Sequence, residues 1–457
     1  MTIKKPLTQE DLIQKYNVPV PRYTSYPTLP HWSGNVNEAS WVSQFQSAYQ
    51  LFGKEEGITL YIHLPYCESL CTYCGCNKRI TKNHQVEDTY IDALLTEWDL
   101  YMSWLPDLPN LAGIHLGGGT PTFFSPSSLH RLITEITSKA IVLDQASFSF
   151  EGHPNNTSKD HLQTLFDLGF RRVSFGIQDL NLKVQQAIHR IQPLEKVVEV
   201  TETARKIGYE SINYDLIYGL PHQTLSSIED TFQKTLDLKP DRIAFYSYAH
   251  LPSVFPSQNH FAPFLPQETE KRKLYERGRA ILEEAGYLEI GMDHFSLEED
   301  PICHAKLAKK LHRNFMGYTT SPSKILIGLG SSAISDVHLA YAQNSKSIET
   351  YKNHLENNQL AIEKGHVLSQ EDFKIKNIIL ALICNHQLEW DTAFYNQMEE
   401  GIKICLDEFV EDGMVAYDQM GLIILEPGIP FVRNICSTFD PAFRTTRQGK
   451  SVFSNAI

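Results

Sequence analysis

From about residue 58 to residue 252 the chain alternates short β-rich runs with amphipathic helical patterns, and this alternation limits the fold more than any other feature. The runs are TLYIHLP (59–65), GIHLGGGTP (113–121), SFSFEGHP (147–154), RVSFGIQDL (172–180), SINYDLIYGLP (211–221) and DRIAFYSYAHLP (241–252). Helical patterns fall between them at 86–104, 128–140, 194–208 and 227–238. Strands alternating with helices of this length form crossover units on a parallel sheet. The expected class is α/β: a partial parallel (β/α)6 TIM-like barrel, with chemistry gathered at the carboxyl ends of the strands. After residue 252 the pattern loosens into a helix (267–286), YLEIGMDHF (287–295), LHRNFMGYTT (311–320) and a glycine-rich run KILIGLGSSAIS (324–335). With 457 residues, more than one domain is expected. The reading is an N-terminal arm or lid over 1–55, the barrel with its extension over 56–365, and a mostly helical C-terminal domain over 366–457.

Four of the eight cysteines, Cys67, Cys71, Cys74 and Cys76, crowd into the run YIHLPYCESLCTYCGCNK directly after the first strand. The first three follow C-x3-C-x2-C. Thiolates so spaced on one loop hold three corners of a cubane iron–sulfur cluster and leave one iron open to a small molecule. A structural zinc site would need a second ligand pair, whereas Cys303, Cys384, Cys405 and Cys436 are scattered singly. Disulfides would need an oxidising compartment. The start, MTIKKPLTQEDLIQKY, has no apolar core of a secretory signal, so a cytoplasmic location is expected. No run of 18 apolar residues suits a membrane span. A net charge of −13 argues against nucleic-acid or membrane-surface binding. Local arginines can still serve an anionic ligand.

The remaining signals are weak singly. GGGTP (117–121) lets a ligand approach the backbone, with amide N–H groups free to meet a carboxylate, but alone it is a tight turn. Glu151, Gln178, Arg190 and Asp215 stand at or beyond strand ends, with Asp179 and Ala249 on the same expected rim. Alone they read as caps or surface residues. Beside the cysteine loop they suit a nucleoside and amino-acid pocket, an acid for hydroxyls or an ammonium and an arginine for a carboxylate. In the arm, prolines keep VPVPRYTSYPTLP (18–30) extended. Tyr23 and Tyr26, of exposed type, with Arg22 fit either an ordered arm on the next domain or a lid.

The cysteine spacing with Tyr73 before the last ligand, followed by GGGTP, resembles the radical S-adenosylmethionine superfamily. More narrowly, PRYTSYPT (21–28), CGCNK (74–78), GIQDL (176–180), NYDLIYGLP (213–221), GMDHF (291–295) and HRNFMGYTT (312–320) resemble the oxygen-independent coproporphyrinogen III dehydrogenase family. The resemblance implies a 4Fe–4S cluster on Cys67, Cys71 and Cys74, with Cys76 not a ligand. It implies S-adenosylmethionine contacts at Tyr61, Tyr73, Gly118, Gly119, Thr120, Glu151, Gln178, Arg190, Asp215, Ala249 and Ile334, and two such molecules per site. Glu151 and Arg22 become the catalytic candidates, Arg22 as a propionate contact on a lid-like arm. The implied reaction uses a 5′-deoxyadenosyl radical to convert two propionates of coproporphyrinogen III to vinyl groups, giving protoporphyrinogen IX in haem biosynthesis. A one-electron donor and an electron acceptor are implied partners, and a monomer is expected.

One departure stands out. The family follows the glutamate with a small apolar residue, Asp or Asn, then Pro; here Gly152 and His153 precede Pro154. The imidazole either changes the local charge and pH response or merely alters a turn. The rival reading within the superfamily is a haem chaperone without decarboxylase activity. Such proteins lack the arm and commonly carry Phe where Cys76 stands. A zinc scaffold is the unrelated alternative.

Overall fold

The computed structural model describes residues 7–32, 34 and 36–446; the ends of the two terminal regions expected above, 1–6 and 447–457, lie outside the described residues, as do 33 and 35. Six parallel strands follow the expected runs: β1 (Ile58–Leu64), β2 (Asn110–Gly118), β3 (Ile141–Gly152), β4 (Phe170–Gln178), β5 (Ser211–Tyr218) and β6 (Arg242–Ser247), paired in chain order. A seventh, β7 (Ile325–Leu329), joins parallel to β1 on its other side, with Leu329 beside Ile62. The sequence reading had left this segment as a glycine-rich run. Antiparallel strands extend the sheet at both ends, Ile334–Val337, Ala340–Asn344 and Ile362–Val367 beyond β7, His294–Ser296 and Leu288–Gly291 beyond β6. Among the described residues no ladder joins the two ends, so the barrel is partial.

Crossover helices cover the outer face: Val86–Ser103, Pro126–Thr137, Lys159–Asp167, Leu194–Ile207 and Leu225–Asp237. Three of their starts are set by side chains that accept the first free amides: Ser125 from Ser128, Ser158 from His161, Thr224 from Ser227. Helix 159–167 was not foreseen, although its Ser158 cap is legible afterwards. Outward residues of the strands pack with these helices into the main core, around Trp98, Phe150 and Phe175. Inward residues recur every second position, because strand side chains alternate between faces.

A second core gathers the C-terminal helices, with Ile379, Leu382, Phe431 and Phe439, against Leu12, Tyr16, Tyr23 and Tyr26 of the arm. Tyr23 and Tyr26 are therefore buried, 2% and 5% exposed, rather than of exposed type. The Tyr23 hydroxyl donates to Asp440 Oδ2 at 3.0 Å. The stretch is not extended throughout, contrary to expectation: Tyr23 takes φ +48°, residues 24–27 form a bend and a 3-10 turn spans Leu29–His31. What it lies on is the C-terminal unit, which the arm's own sequence cannot specify. No helix among the described residues is long and apolar enough to cross a membrane.

Candidate active site

The cysteine loop leaves β1 at the carboxyl end of the sheet. It is pinned on several sides: Arg79 N–H to Pro65 O at 2.8 Å, Thr81 N–H to Cys67 O at 2.9 Å and Thr72 N–H to Ile188 O at 3.1 Å. Cys67 and Cys71 are buried, Cys74 is half-buried and Cys76 is exposed; none is in a disulfide. Thr120 Oγ1 donates to Cys67 Sγ at 3.3 Å, and Arg190 Nη1 donates to Cys71 Sγ at 3.7 Å. Donors aimed at sulfur stabilise thiolates, the form that binds metal. Cys74 is lowered to about 6, first by its hydrogen bond to Cys76 and then by Lys78 against the effect of burial. Burial, against the Thr120 hydrogen bond, raises Cys67 to about 11, so as the chain stands it is a neutral thiol. Among the described residues no three His, Cys, Asp or Glu side chains form a group suited to a metal ion. Three soft thiols on one loop, two with cationic or hydroxyl donors, suit the corners of a larger cluster.

The glycines after β2 serve close packing. A Cβ on Gly118 (φ +113°) would lie 2.6 Å from the His63 ring, and one on Gly119 2.6 Å from the Pro65 backbone. The Gly119 and Thr120 amides are not free, contrary to expectation: they donate to Leu64 O at 2.9 Å and Tyr66 O at 3.0 Å, clamping the cysteine loop. The Gly118 amide donates to Glu151 Oε2 at 3.2 Å.

Parallel register lines the inner face with a polar tier. Tyr61 lies beside His115 and His115 beside Ser149, while Glu151 lies beside Ser174 and Ser174 beside Asn213. His115 meets Ser149 Oγ at 2.8 Å and Glu151 at 3.5 Å. Ser174 Oγ and Asn213 Nδ2 donate to the two Asp215 oxygens at 3.0 and 2.9 Å. Burial first, then the Glu151 charge, raises Asp215 to about 6. The tier lines a cavity of about 190 Å³. His63 fixes Tyr61. Its Nε2 meets the Asn77 carbonyl at 3.0 Å and must donate there, so Nδ1 accepts the Tyr61 hydroxyl at 3.1 Å.

The other expected residues fall as follows. Gln178, with φ +69°, ends β4 in a left-handed conformation, while Arg190 Nη2 donates to the Gly176 carbonyl at 2.5 Å. Tyr73 packs against the apolar cluster of Ile188 and Tyr248. Gln258 ties that loop to β6's loop by donating to Tyr73 O and Ala249 O at 3.3 and 3.4 Å. Asp179 is wholly buried and structural, accepting from Gln223 and Thr231. Ile334 lies just beyond the turn after β7, at the same end of the sheet, and packs beside Trp32 and Tyr341. Arg22 stands apart from the cysteines, paired with Asp293 at 2.9 Å by the ends of β5 and β6. His153 Nδ1 accepts the Asn155 amide at 3.2 Å, and burial, then Arg190, lowers it to about 2. It is a neutral turn residue, which favours the second of the two readings above. Sequence reasoning missed His63, His115, Ser174, Asn213 and Gln258. All but Gln258 stand two or four residues from an expected site residue or its strand neighbour, which the period of two could have found.

Residues 61–235 match the model of the radical SAM superfamily. A Synechocystis protein described as an oxygen-independent coproporphyrinogen III oxidase is 36% identical, covering 98% of this chain and 97% of its own. One of the same description from Escherichia coli K12 is 37% identical, covering 95% of each. The solved structure of an Escherichia coli coproporphyrinogen III oxidase, described as a radical SAM enzyme, superposes with a TM-score of 0.87 at 34% identity, over 92% of this chain and 97% of that one. Likeness of this extent, over a fold whose rim joins the cysteine loop to the polar tier, makes the chain a member of the oxygen-independent coproporphyrinogen III oxidase family within the radical SAM superfamily.

Proposed function

We propose that this chain catalyses the oxygen-independent oxidative decarboxylation of two propionates of coproporphyrinogen III to vinyl groups, giving protoporphyrinogen IX in haem biosynthesis. The observation that carries the reading is that the Cys67–Cys71–Cys74 loop meets Arg190, which reaches Cys71, and lies beside the Gly118 amide that reaches Glu151, in a chain of this family. When bound, a 4Fe–4S cluster with S-adenosylmethionine supplies one-electron cleavage of a sulfonium and a carbon radical that takes hydrogen from the propionate β-carbon. Each propionate loses that hydrogen, carbon dioxide and one electron, so a one-electron donor and an electron acceptor are required partners.

The chain's own residues hold and orient. Cys67, Cys71 and Cys74 would hold the cluster through their thiolates. Arg190 offers its guanidinium between the Cys71 sulfur and the Gly176 carbonyl. Glu151 and Asp215 place negative charge where a sulfonium and an ammonium need it. Tyr61, Tyr73, Gly118, Gly119, Thr120, Gln178 and Ala249 complete the S-adenosylmethionine contacts. Two S-adenosylmethionine molecules per site are part of the reading, as the likeness to the family implies, with Ile334 among their contacts. Glu151 is assigned to the reacting centre and Arg22 to a propionate. The arm (1–55) acts as a lid on the barrel (56–365), backed by the C-terminal domain (366–457). Anaerobic incubation with coproporphyrinogen III, S-adenosylmethionine and a strong reductant tests this. Vinyl product with released carbon dioxide is expected. Tight haem binding without carbon dioxide release would overturn the reading in favour of a haem chaperone.

A further inference from the structure

Inside the barrel, one cation has no counter-ion among the described residues. On β4, Arg172 stands one inward position before Ser174, between Ser149 of β3 and Ser211 of β5, and it lines the cavity of about 190 Å³. Its Nε is enclosed and has no partner, and neither terminal nitrogen makes a hydrogen bond or ion pair among the described residues. Asp300 is near enough to act on Arg172, but both of its oxygens are taken. Oδ1 accepts from Arg242 Nη2 at 2.5 Å and from the Ile302 amide at 2.8 Å. Oδ2 accepts from Arg242 Nε at 2.7 Å and from Ser211 Oγ at 2.9 Å. Glu210 is exposed and does not line the cavity.

Two carboxylates do line the cavity, Glu151 and Asp215, but toward the carboxyl ends of the strands. Asp215 is held by Ser174 and Asn213, and Glu151 meets the Gly118 amide and His115. Neither pairs with Arg172. The cavity therefore runs from negative charge at the rim to positive charge at the floor. Burial, and after it the repulsion of Arg242, pulls Arg172 down to about 10, against Asp300 and Glu210. A desolvated guanidinium without a counter-ion is costly, and an anion on its terminal nitrogens would offset that cost. The planar fork of a guanidinium matches the two oxygens of a carboxylate.

We propose that Arg172 binds a carboxylate-type oxyanion in the floor of the barrel, below the residues assigned to S-adenosylmethionine. The space holds such an ion with a few waters and is too small for a tetrapyrrole ring. A free ion such as bicarbonate and a propionate carboxylate of the substrate share this chemistry. The site is argued from the charge balance of the barrel alone and does not depend on the decarboxylation reading.

The probe is sodium formate on the intact protein, against sodium chloride at equal ionic strength and against formamide, its uncharged isostere. Formate should raise the thermal-unfolding midpoint saturably, with half-saturation in the millimolar range expected of so small a ligand, and formamide should not. Arg172→Met should weaken that response about tenfold or more. Arg172→Lys, which keeps the charge but not the fork, should lie between. If Arg172→Met does not fold, wild-type crystals soaked in bromide decide: an anomalous peak against the Arg172 terminal nitrogens is expected, and water alone there would overturn the inference. Coproporphyrin III, the fluorescent oxidised form of the substrate, separates the two sources. Binding that formate competes with and Arg172→Lys weakens makes the ion a substrate propionate; binding untouched by both makes it a free ion, and either result supports the site. No saturable formate response in the wild type, an equal response to formamide, or an equal formate response in Arg172→Met would each overturn the inference.

Discussion

Asp215→Asn should make the protein more stable and the site worse. Asp215 is raised from 3.8 to about 6 by burial and by Glu151. Between those values the folded protein binds a proton that the unfolded chain has released. Stability therefore falls as pH rises through that window and is flat above about 7. The gap corresponds to about 3 kcal/mol, at roughly 1.4 kcal/mol per pH unit. Asparagine removes the charge but turns its amide toward Ser174 Oγ or Asn213 Nδ2, both donors to the present carboxylate. That mismatch costs roughly 1 kcal/mol. The net expectation is a variant about 2 kcal/mol more stable than wild type at pH 8, and no more stable at pH 4. The assay is the urea-unfolding midpoint of protein free of S-adenosylmethionine, measured for both proteins across pH 4–8. Parallel pH dependence in wild type and variant would refute the reasoning. The same substitution should weaken S-adenosylmethionine binding at least tenfold at pH 8, through loss of a charge-assisted contact. Stability gained together with affinity lost marks a residue kept for its ligand.

Gly118→Ala should cost about 1–3 kcal/mol, since φ is +113° and the new methyl meets the His63 ring; thermal unfolding and S-adenosylmethionine affinity measure it, and an unchanged protein would contradict the packing described. Cys71→Ser should abolish bound iron while Cys76→Ser retains about four irons per chain; iron loss in Cys76→Ser would contradict the ligand set. His153→Asn should leave the pH–rate profile between pH 6 and 9 unchanged, because the imidazole is held neutral and an Asn oxygen can accept the same Asn155 amide; a displaced profile would show that the ring titrates in the site.

Much of this fold is legible because its signals are local. The six strands declare themselves by short apolar runs ending in polar residues or glycine, and the helices by their amphipathic period. β7 is different. Every residue of Ile325–Leu329 is buried, so no alternation marks it, and its partner is β1, far away in sequence. The antiparallel edges are only three to six residues long and escape for the same reason. At the site, the cysteines are legible because one loop carries them all. Glu151 is legible as a strand end, whereas Asp215, expected at one, lies inside β5 (Ser211–Tyr218). His115, Ser174 and Asn213 lie deeper in the strands, where only the inward period of two identifies them. Gln258 follows no period; its role comes from a loop folding back on the Tyr73 carbonyl. The amides of Gly119 and Thr120 were read as ligand donors because nothing local shows that Leu64 and Tyr66 occupy them. Tyr23 and Tyr26 were misjudged because their burial depends on helices more than 300 residues later in the chain.

Carbon dioxide released per coproporphyrinogen III consumed, in wild type and in Cys71→Ser under strict anaerobiosis, tests the central claim most directly. The account requires about two carbon dioxide per porphyrinogen from the reduced wild type with S-adenosylmethionine, and none from the variant. Release that persists without the Cys71 thiol, or a wild type that holds its cluster and releases none, would contradict it.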